Sequence, residues 1–439
     1  MFSYVAKTFR EPPALHDRSA SINLQHRNLS AILMTPLLSG SLALSLAIDK
    51  GFGALLALAL LVTFATVRWR DLRSLRRQDI TFLALINGYP VVVLFSIAFH
   101  GLSDPALFDT ASRFLLCSLL YIGLRVRPAD MQWIVIGAAM GCLLALFACL
   151  HHLLQWTPEA TVSKGRFIGT ENAVVFALLA HSLLLVAVTP NSINALKLRD
   201  QRLLLGSVLV AIAIVQIISQ SRMGLAAWLL LSIYVVLWDR RLAGDRVKIT
   251  VLLITVAGLM TVLTNSSYFY HLGGTLSELS ANIGQIDQST SLGQRLALWS
   301  LSGELIAAHP LFGHGVGQFN AALNSLPNAD TLMETVRGYG HAHSELLQIT
   351  VEFGLMGLAL VLLSLAGPAI LAFIEGFTIE VRHLLLGTVL SWLFLGLVQS
   401  ELAHQKTTLM LAFLLALGFS LGMNRKYGPL GGNRMPSSS

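Results

Sequence analysis

Two imidazoles and a carboxylate stand within five residues at His341, His343 and Glu345, in the run 340–348 (GHAHSELLQ) just ahead of an apolar stretch. A neutral imidazole can take a proton from a hydroxyl while Glu345 or a backbone carbonyl holds its tautomer. The H-x-H spacing is also a metal pattern, for which only the distant His309 and His314, or Glu345, offer further ligands. A lone histidine is more often structural, so residue type leaves all three readings open for His343.

Four basic residues form a second group. Arg222 stands in 219–224 (SQSRMG), a short turn between two long apolar stretches. An arginine at membrane depth is costly: it snorkels to lipid headgroups, or it faces a cavity and binds an anion. Arg295 lies in 291–295 (SLGQR), one helical turn before Trp299, so that Trp299 anchors a helix at the interface while Arg295 points elsewhere. A solvated interfacial arginine has the same pattern. Lys164 and Arg166 precede 169–172 (GTEN) in a loop with few other charges. Positive charge is disfavoured in short translocated loops, which suggests contact with an anionic ligand; lipid headgroups are an equal alternative.

The elements that must position these groups are membrane helices. Of 439 residues, 54% are hydrophobic and 12% charged, and mean hydropathy is +0.68, values that exclude an ordinary soluble domain. Apolar stretches of span length recur near 29–48, 51–67, 79–99, 109–124, 131–154, 170–189, 203–219, 222–238, 249–265, 346–374, 383–400 and 407–424. The expectation is an all-α integral membrane protein of about 12 transmembrane helices.

Sidedness follows from basic charge, which concentrates in cytoplasmic loops. Alternate loops and both tails carry 22 of the 30 Lys and Arg residues, including the cluster Arg68, Arg70, Arg73, Arg76 and Arg77 and, in the next such loop, Arg125 and Arg127. An even span count with both tails inside is expected. The first 28 residues are polar and the first apolar stretch is of span length, so no cleavable signal peptide is expected. Cys117, Cys142 and Cys149 lie in apolar stretches, where they are expected to pack without forming a disulfide or a metal site.

The expected organisation is a cytoplasmic tail (1–28), nine spans (29–265), a loop domain on the outer side (266–345), three spans (346–424) and a second cytoplasmic tail (425–439). Within the loop, Leu276, Leu279, Ile283 and Ile286 recur at helical spacing, and Leu292, Leu296, Trp299, Leu301 and Leu305 line a second helix ending at His309 and Pro310. Both helices suit a position flat on the membrane surface. The stretch 310–317 (PLFGHGVG) turns the chain.

The motifs S-x-S-R-x-G at 219–224, S-L-G-Q-R-x-x-x-W at 291–299, H-P-L-F-G-x-G at 309–315 and H-S-E-L-L-Q-x-x-x-E-x-G-L-x-G at 343–357 resemble, in order and spacing, the O-antigen ligase and polymerase superfamily. Each motif alone is weak, and four in order are specific. The resemblance implies a membrane fold of the GT-C glycosyltransferase type, with a large periplasmic loop domain, in the bacterial inner membrane. It implies transfer of a glycan from undecaprenyl diphosphate to an acceptor by an inverting route that needs neither metal nor cofactor. Carried over by motif, Arg222 and Arg295 hold the diphosphate, and His343 is the general base or positioning group for the acceptor hydroxyl. His341 is the second choice for that role, and Lys164 and Arg166 are secondary substrate contacts. Ser344 stands where many relatives carry Asn.

The superfamily contains ligases acting on the lipid A core, polymerases extending the carrier-bound chain, and ligases that glycosylate pilin or other proteins. Chain length, span count and a compact loop favour the first, with undecaprenyl diphosphate-linked glycan, lipid A core and membrane lipids as partners and no nucleic acid. A transporter would also be polytopic with buried charges, but would place them near the bilayer midplane and show broken helices or paired repeats. Here the candidates cluster at one face.

Overall fold

In a computed structural model, the structure describes residues 33–48, 50–101, 107–154, 173–189, 198–219, 221–238, 253, 282, 286–326, 336 and 339–430. Regular structure among them is helical: α1 (Leu33–Leu44), α2 (Gly51–Thr66), α3 (Trp69–Arg73), α4 (Arg77–Ile86), α5 (Gly88–His100), α6 (Leu107–Val126), α7 (Met131–Leu154), α8 (Ala173–Ala187), α9 (Leu198–Ser219), α10 (Arg222–Trp238), α11 (Ser291–Ala308), α12 (Phe319–Asn324), α13 (Glu345–Ile374), α14 (Ile379–Gly396) and α15 (Gln405–Tyr427). Four helices in α7, α13, α14 and α15 are long and apolar enough to cross a membrane, and the bent pair α4 and α5 makes a fifth. The chain is an α-helical membrane protein. Helices fall on eleven of the twelve expected stretches; 249–265, apart from residue 253, lies outside the described residues.

The helices bury one continuous apolar core, in which α6 and α15 form the most extensive pair. The three cysteines are buried in it and unpaired. Many outward leucines and phenylalanines stay exposed, Phe64, Phe147 and Ile374 among them, as a lipid-facing surface requires.

One end of the bundle is closed by polar groups. Asp79 at the start of α4 accepts from Arg125 Nε at 2.7 Å and from the Tyr121 hydroxyl, with both charged side chains fully buried. Arg125 also donates to Asn424 and, at 2.9 Å, to the Gly428 carbonyl, while its own carbonyl accepts from Leu430 N. Arg125, counted above among the basic loop residues, is therefore an interior clamp joining α4, α6 and α15.

The chain between α4 and α5 bends by 46° at Asn87. Groups released by the bend find partners: Asn87 Nδ2 donates to Leu83 O and Ser118 Oγ, and Tyr89 N donates to Ser364 Oγ of α13. Through this bend α5 delivers His100 to the opposite end, where its Cβ lies 3.0 Å from the position a side chain would take at Gly315. That opposite end carries the candidate site.

Candidate active site

The described part of the loop region has a core of its own. Ala297, Leu298, Leu301 and Leu305 of α11 pack with Phe319, Ala322 and Leu323 of α12 and with Val336, Ala342 and Val351. The expected surface-lying helix at 291–308 thus buries its apolar face against protein, the stronger choice where α12 and α13 supply matching side chains. Leu292 and Leu296, part of the apolar stripe read from sequence, are only half-buried, whereas Ala297 and Leu298 are buried. The helix expected over 273–287 lies almost wholly outside the described residues.

Two glycine motifs dock through their backbones. Helix α13 breaks at Gly354, whose φ of 67° lies in the left-handed region. The carbonyls of Val351 and Glu352 accept from His314 N and Gly315 N, both at 2.9 Å. Leu355 N and Met356 N donate to the carbonyls of Pro310 and Leu311. A Cβ on Gly354 would sit 2.2 Å from the Leu311 carbonyl carbon, and one on Gly313 would sit 2.5 Å from that of Glu352. The glycines of 309–315 and 352–354 are therefore two halves of one joint.

That joint supports the histidines. Glu352 accepts from Gly317 N at 3.0 Å and from Gln348 Nε2 at 2.9 Å, and Gln348 Oε1 accepts from Ala342 N at 2.8 Å. Ala342, wholly buried between His341 and His343, anchors the turn from its apolar side. His343 is the one non-glycine among the described residues with a positive φ, 49°. Backbone strain of this kind persists where the surroundings over-determine it.

His343 stands in a cluster of aromatic and polar rings. Its centroid is 4.3 Å from that of His341 and 5.0 Å from that of Tyr339, and Nδ1 lies 3.2 Å from Gln399 Oε1. Gln399 Nε2 lies 2.6 Å from His404 Nε2. Burial pushes His343 down to about 4, helped by His341 and by the charge of Arg295 and opposed by its bond to Gln399. Burial and His404 likewise lower His341 to about 4. Both imidazoles are neutral at pH 7.

The charge of Arg295 thus reaches His343 although the two are 48 residues apart in sequence. Arg295 sits on the first turn of α11, which begins at the cap Thr290, whose Oγ1 accepts from Gly293 N at 2.9 Å. A Cβ on Gly293 would lie 1.9 Å from the Asp287 carbonyl oxygen, which is why the motif has glycine there. Gln294 accepts from the Tyr339 hydroxyl at 2.7 Å and ties the same turn to the ring beside His343.

Arg222 is described through its backbone and opens α10 behind Ser221, whose Oγ accepts from Gly224 N at 3.1 Å as a helix cap. A Cβ on Gly224 would sit 2.4 Å from that of Ala177, so this glycine lets α10 approach α8. Ala227 packs with Leu395, near the end of α14 and four residues before Gln399. The backbone of Arg222, about 7.5 Å along the helix from Ala227 at 1.5 Å per residue, therefore lies toward the same end of the bundle as Gln399. Lys164 and Arg166 lie outside the described residues.

At His343 Nδ1, where the sequence offered Glu345 or a backbone carbonyl, stands Gln399, and Glu345 is engaged elsewhere. Its Oε2 accepts from Leu402 N at 2.8 Å, because the first turn of α13 directs the carboxylate to the connection between α14 and α15. The partner at His343 Nδ1 is Gln399, which sequence reasoning missed together with His404. Six polar residues between two spans, Gln399, Ser400, Glu401, His404, Gln405 and Lys406, were the available signal. His309 and His314 meet edge to face with centroids 4.4 Å apart, and His314 Nε2 lies 3.0 Å from the Leu305 carbonyl oxygen.

The fold and the site define a helical membrane protein that sets a neutral histidine within reach of an arginine's charge, beside the small core that α11 and α12 build at one end of the bundle. Residues 205–362 match the family model described as O-Antigen ligase, which supports a place for this segment in the O-antigen ligase superfamily. An uncharacterized protein of Haemophilus influenzae is 25% identical over 169 residues, 37% of this chain and 42% of that relative. The chain thus matches less than half the length of that relative.

Proposed function

We propose that this protein is an O-antigen ligase, which transfers O-antigen polysaccharide en bloc from undecaprenyl diphosphate to the lipid A core on the periplasmic face of the inner membrane. The observation that carries the reading is a neutral, buried His343 within reach of the charge of Arg295, both in motifs of the matched segment. A neutral imidazole can accept a proton, and a guanidinium can hold a diphosphate.

In this reading Nε2 of His343 takes the proton of the acceptor hydroxyl as its oxygen attacks the anomeric carbon from the face opposite the diphosphate. The bond from that carbon to the phosphate oxygen breaks, its electron pair leaves with the diphosphate, and the configuration inverts. Arg295 and Arg222 offset the charge gathering on the leaving group, work that in other glycosyl transfers falls to a metal. His341, Lys164 and Arg166 serve as further substrate contacts. The twelve-span GT-C frame and the domain boundaries given above belong to the same proposal.

A purified-component assay with undecaprenyl diphosphate glycan and lipid A core, run with chelator, tests this. Transfer by wild type, lost in folded Arg222→Ala, Arg295→Ala and His343→Ala, is the expected result. Elongation of the donor, or glycosylation of pilin, in place of core modification would move the protein to the polymerase or protein-ligase branch. A requirement for divalent metal would overturn the metal-independent mechanism.

A further inference from the structure

Gln399 occupies a decisive place between two imidazoles. It is 3% exposed, at the turn following α14, with its Oε1 at 3.2 Å from His343 Nδ1 and its Nε2 at 2.6 Å from His404 Nε2. An amide oxygen only accepts and an amide nitrogen only donates. With the oxygen toward His343, Nδ1 of that ring must carry the hydrogen, which leaves Nε2 with its lone pair. With the nitrogen toward His404, Nε2 of that ring must be the acceptor.

An amide by itself has no preferred facing. If it turned over, its nitrogen would donate to His343 Nδ1, the hydrogen of that ring would move to Nε2, and Nε2 could no longer accept a proton. His404 offers a way to break the symmetry, since an unprotonated Nε2 there accepts from the amide nitrogen and so directs the oxygen to His343. The turn also has little room to rearrange, because Glu345 ties it at Leu402 N and the Thr408 hydroxyl donates to the carbonyls of Leu402 and His404.

We propose that Gln399, oriented by His404, is a positioning residue that sets the tautomer of His343 and so makes its Nε2 the proton acceptor. This rests on the functional reading only in what the Nε2 lone pair is for; the tautomer is a property of the resting protein. Other groups facing the ring are His341 and Tyr339, with centroids at 4.3 Å and 5.0 Å, and the charge of Arg295 also reaches it.

The test is nitrogen NMR of full-length protein in lipid nanodiscs at pH 7, with 15N-labelled imidazoles and the His343 signals assigned by their loss in His343→Ala. In wild type, Nδ1 should read as protonated and Nε2 as unprotonated. Gln399→Leu should lose this preference, whereas Gln399→Glu, whose carboxylate also accepts, should keep it. His404→Phe should give a mixture of both tautomers. In the glycan-transfer assay, Gln399→Leu should lose about 10²-fold, the scale of general-base catalysis, and Gln399→Glu should recover most of it. An Nε2-protonated His343 in wild type, or an unchanged tautomer in Gln399→Leu, overturns the proposal. A wild-type protein with the expected tautomer but no glycan transfer would sink the functional reading and leave this one standing.

Discussion

Gln348 accepts the backbone N–H of Ala342 at 2.8 Å, and this bond closes the turn on which His341 and His343 both stand. Because Gln348 is also held by Glu352, which is held by Gly317, the glycine turn at 313–317, the break in α13 and the histidine turn form one connected unit.

Replacing Gln348 by Met keeps volume and removes the acceptor. The buried Ala342 N–H then goes unpaired, at a cost of about 1–3 kcal/mol, and the turn loosens. Glycan transfer should fall by about 10–10²-fold with expression and membrane insertion retained, since small displacements of reacting groups cost that much. Wild-type turnover in folded Gln348→Met would show that the bond does not position the histidines.

Gly354→Ala and Gly313→Ala should each be severely destabilising, because each adds a Cβ within about 2.5 Å of backbone at a positive φ. Left-handed strain alone is about 1–2 kcal/mol, and the clash adds to it. Gly303→Ala on the exposed face of α11, where a Cβ meets nothing within 4 Å, should stabilise by about 0.5–1 kcal/mol. Thermal unfolding in detergent, followed by size-exclusion chromatography, separates the three.

The pH dependence follows from His343 being held near 4 against an ordinary 6.5. The neutral ring is the active form and persists down to the lowered value, so kcat/KM should stay flat from pH 7 to about 5 and fall as pH drops through about 4. Arg295→Gln removes one cause of the depression, so the acid limb of its residual activity should move to higher pH. A wild-type limb centred near 6.5 would contradict the buried, neutral base.

At the far end, Asp79→Ala leaves Arg125 buried without its carboxylate and should cost about 3–5 kcal/mol, read as a loss of thermal stability. Asp79→Leu combined with Arg125→Met should recover most of it, because two apolar groups of similar volume leave no stranded charge. Transfer per folded molecule should be near wild type in the double variant, since the clamp and the histidine turn lie at opposite ends. A double variant as unstable as the single one would show that the clamp has no apolar substitute.

The helical character of the chain was legible because a span needs about 20 apolar residues, a signal carried by composition alone. The glycines of 313 and 354 were visible as motif letters, but their reason was not, since each is required by backbone distant in sequence, at Glu352 and Leu311 respectively. Arg125 read as a flanking loop charge because burial of an ion pair depends on a partner, Asp79, that only packing supplies.

What the sequence by itself determined is the membrane class, the run of apolar stretches, the charge asymmetry and the presence of His343, Arg295 and Arg222 in ordered motifs. These depend on neighbours along the chain. The tertiary structure alone decided that His343 meets Gln399 rather than Glu345, that Gln348 closes the histidine turn, and that α11 packs on protein. The first and the last are contacts between distant segments, and hydrogen-bond partners 56 residues apart leave no periodicity to read; Gln348 and Ala342 are close in sequence, but the irregular turn that joins them has no period either.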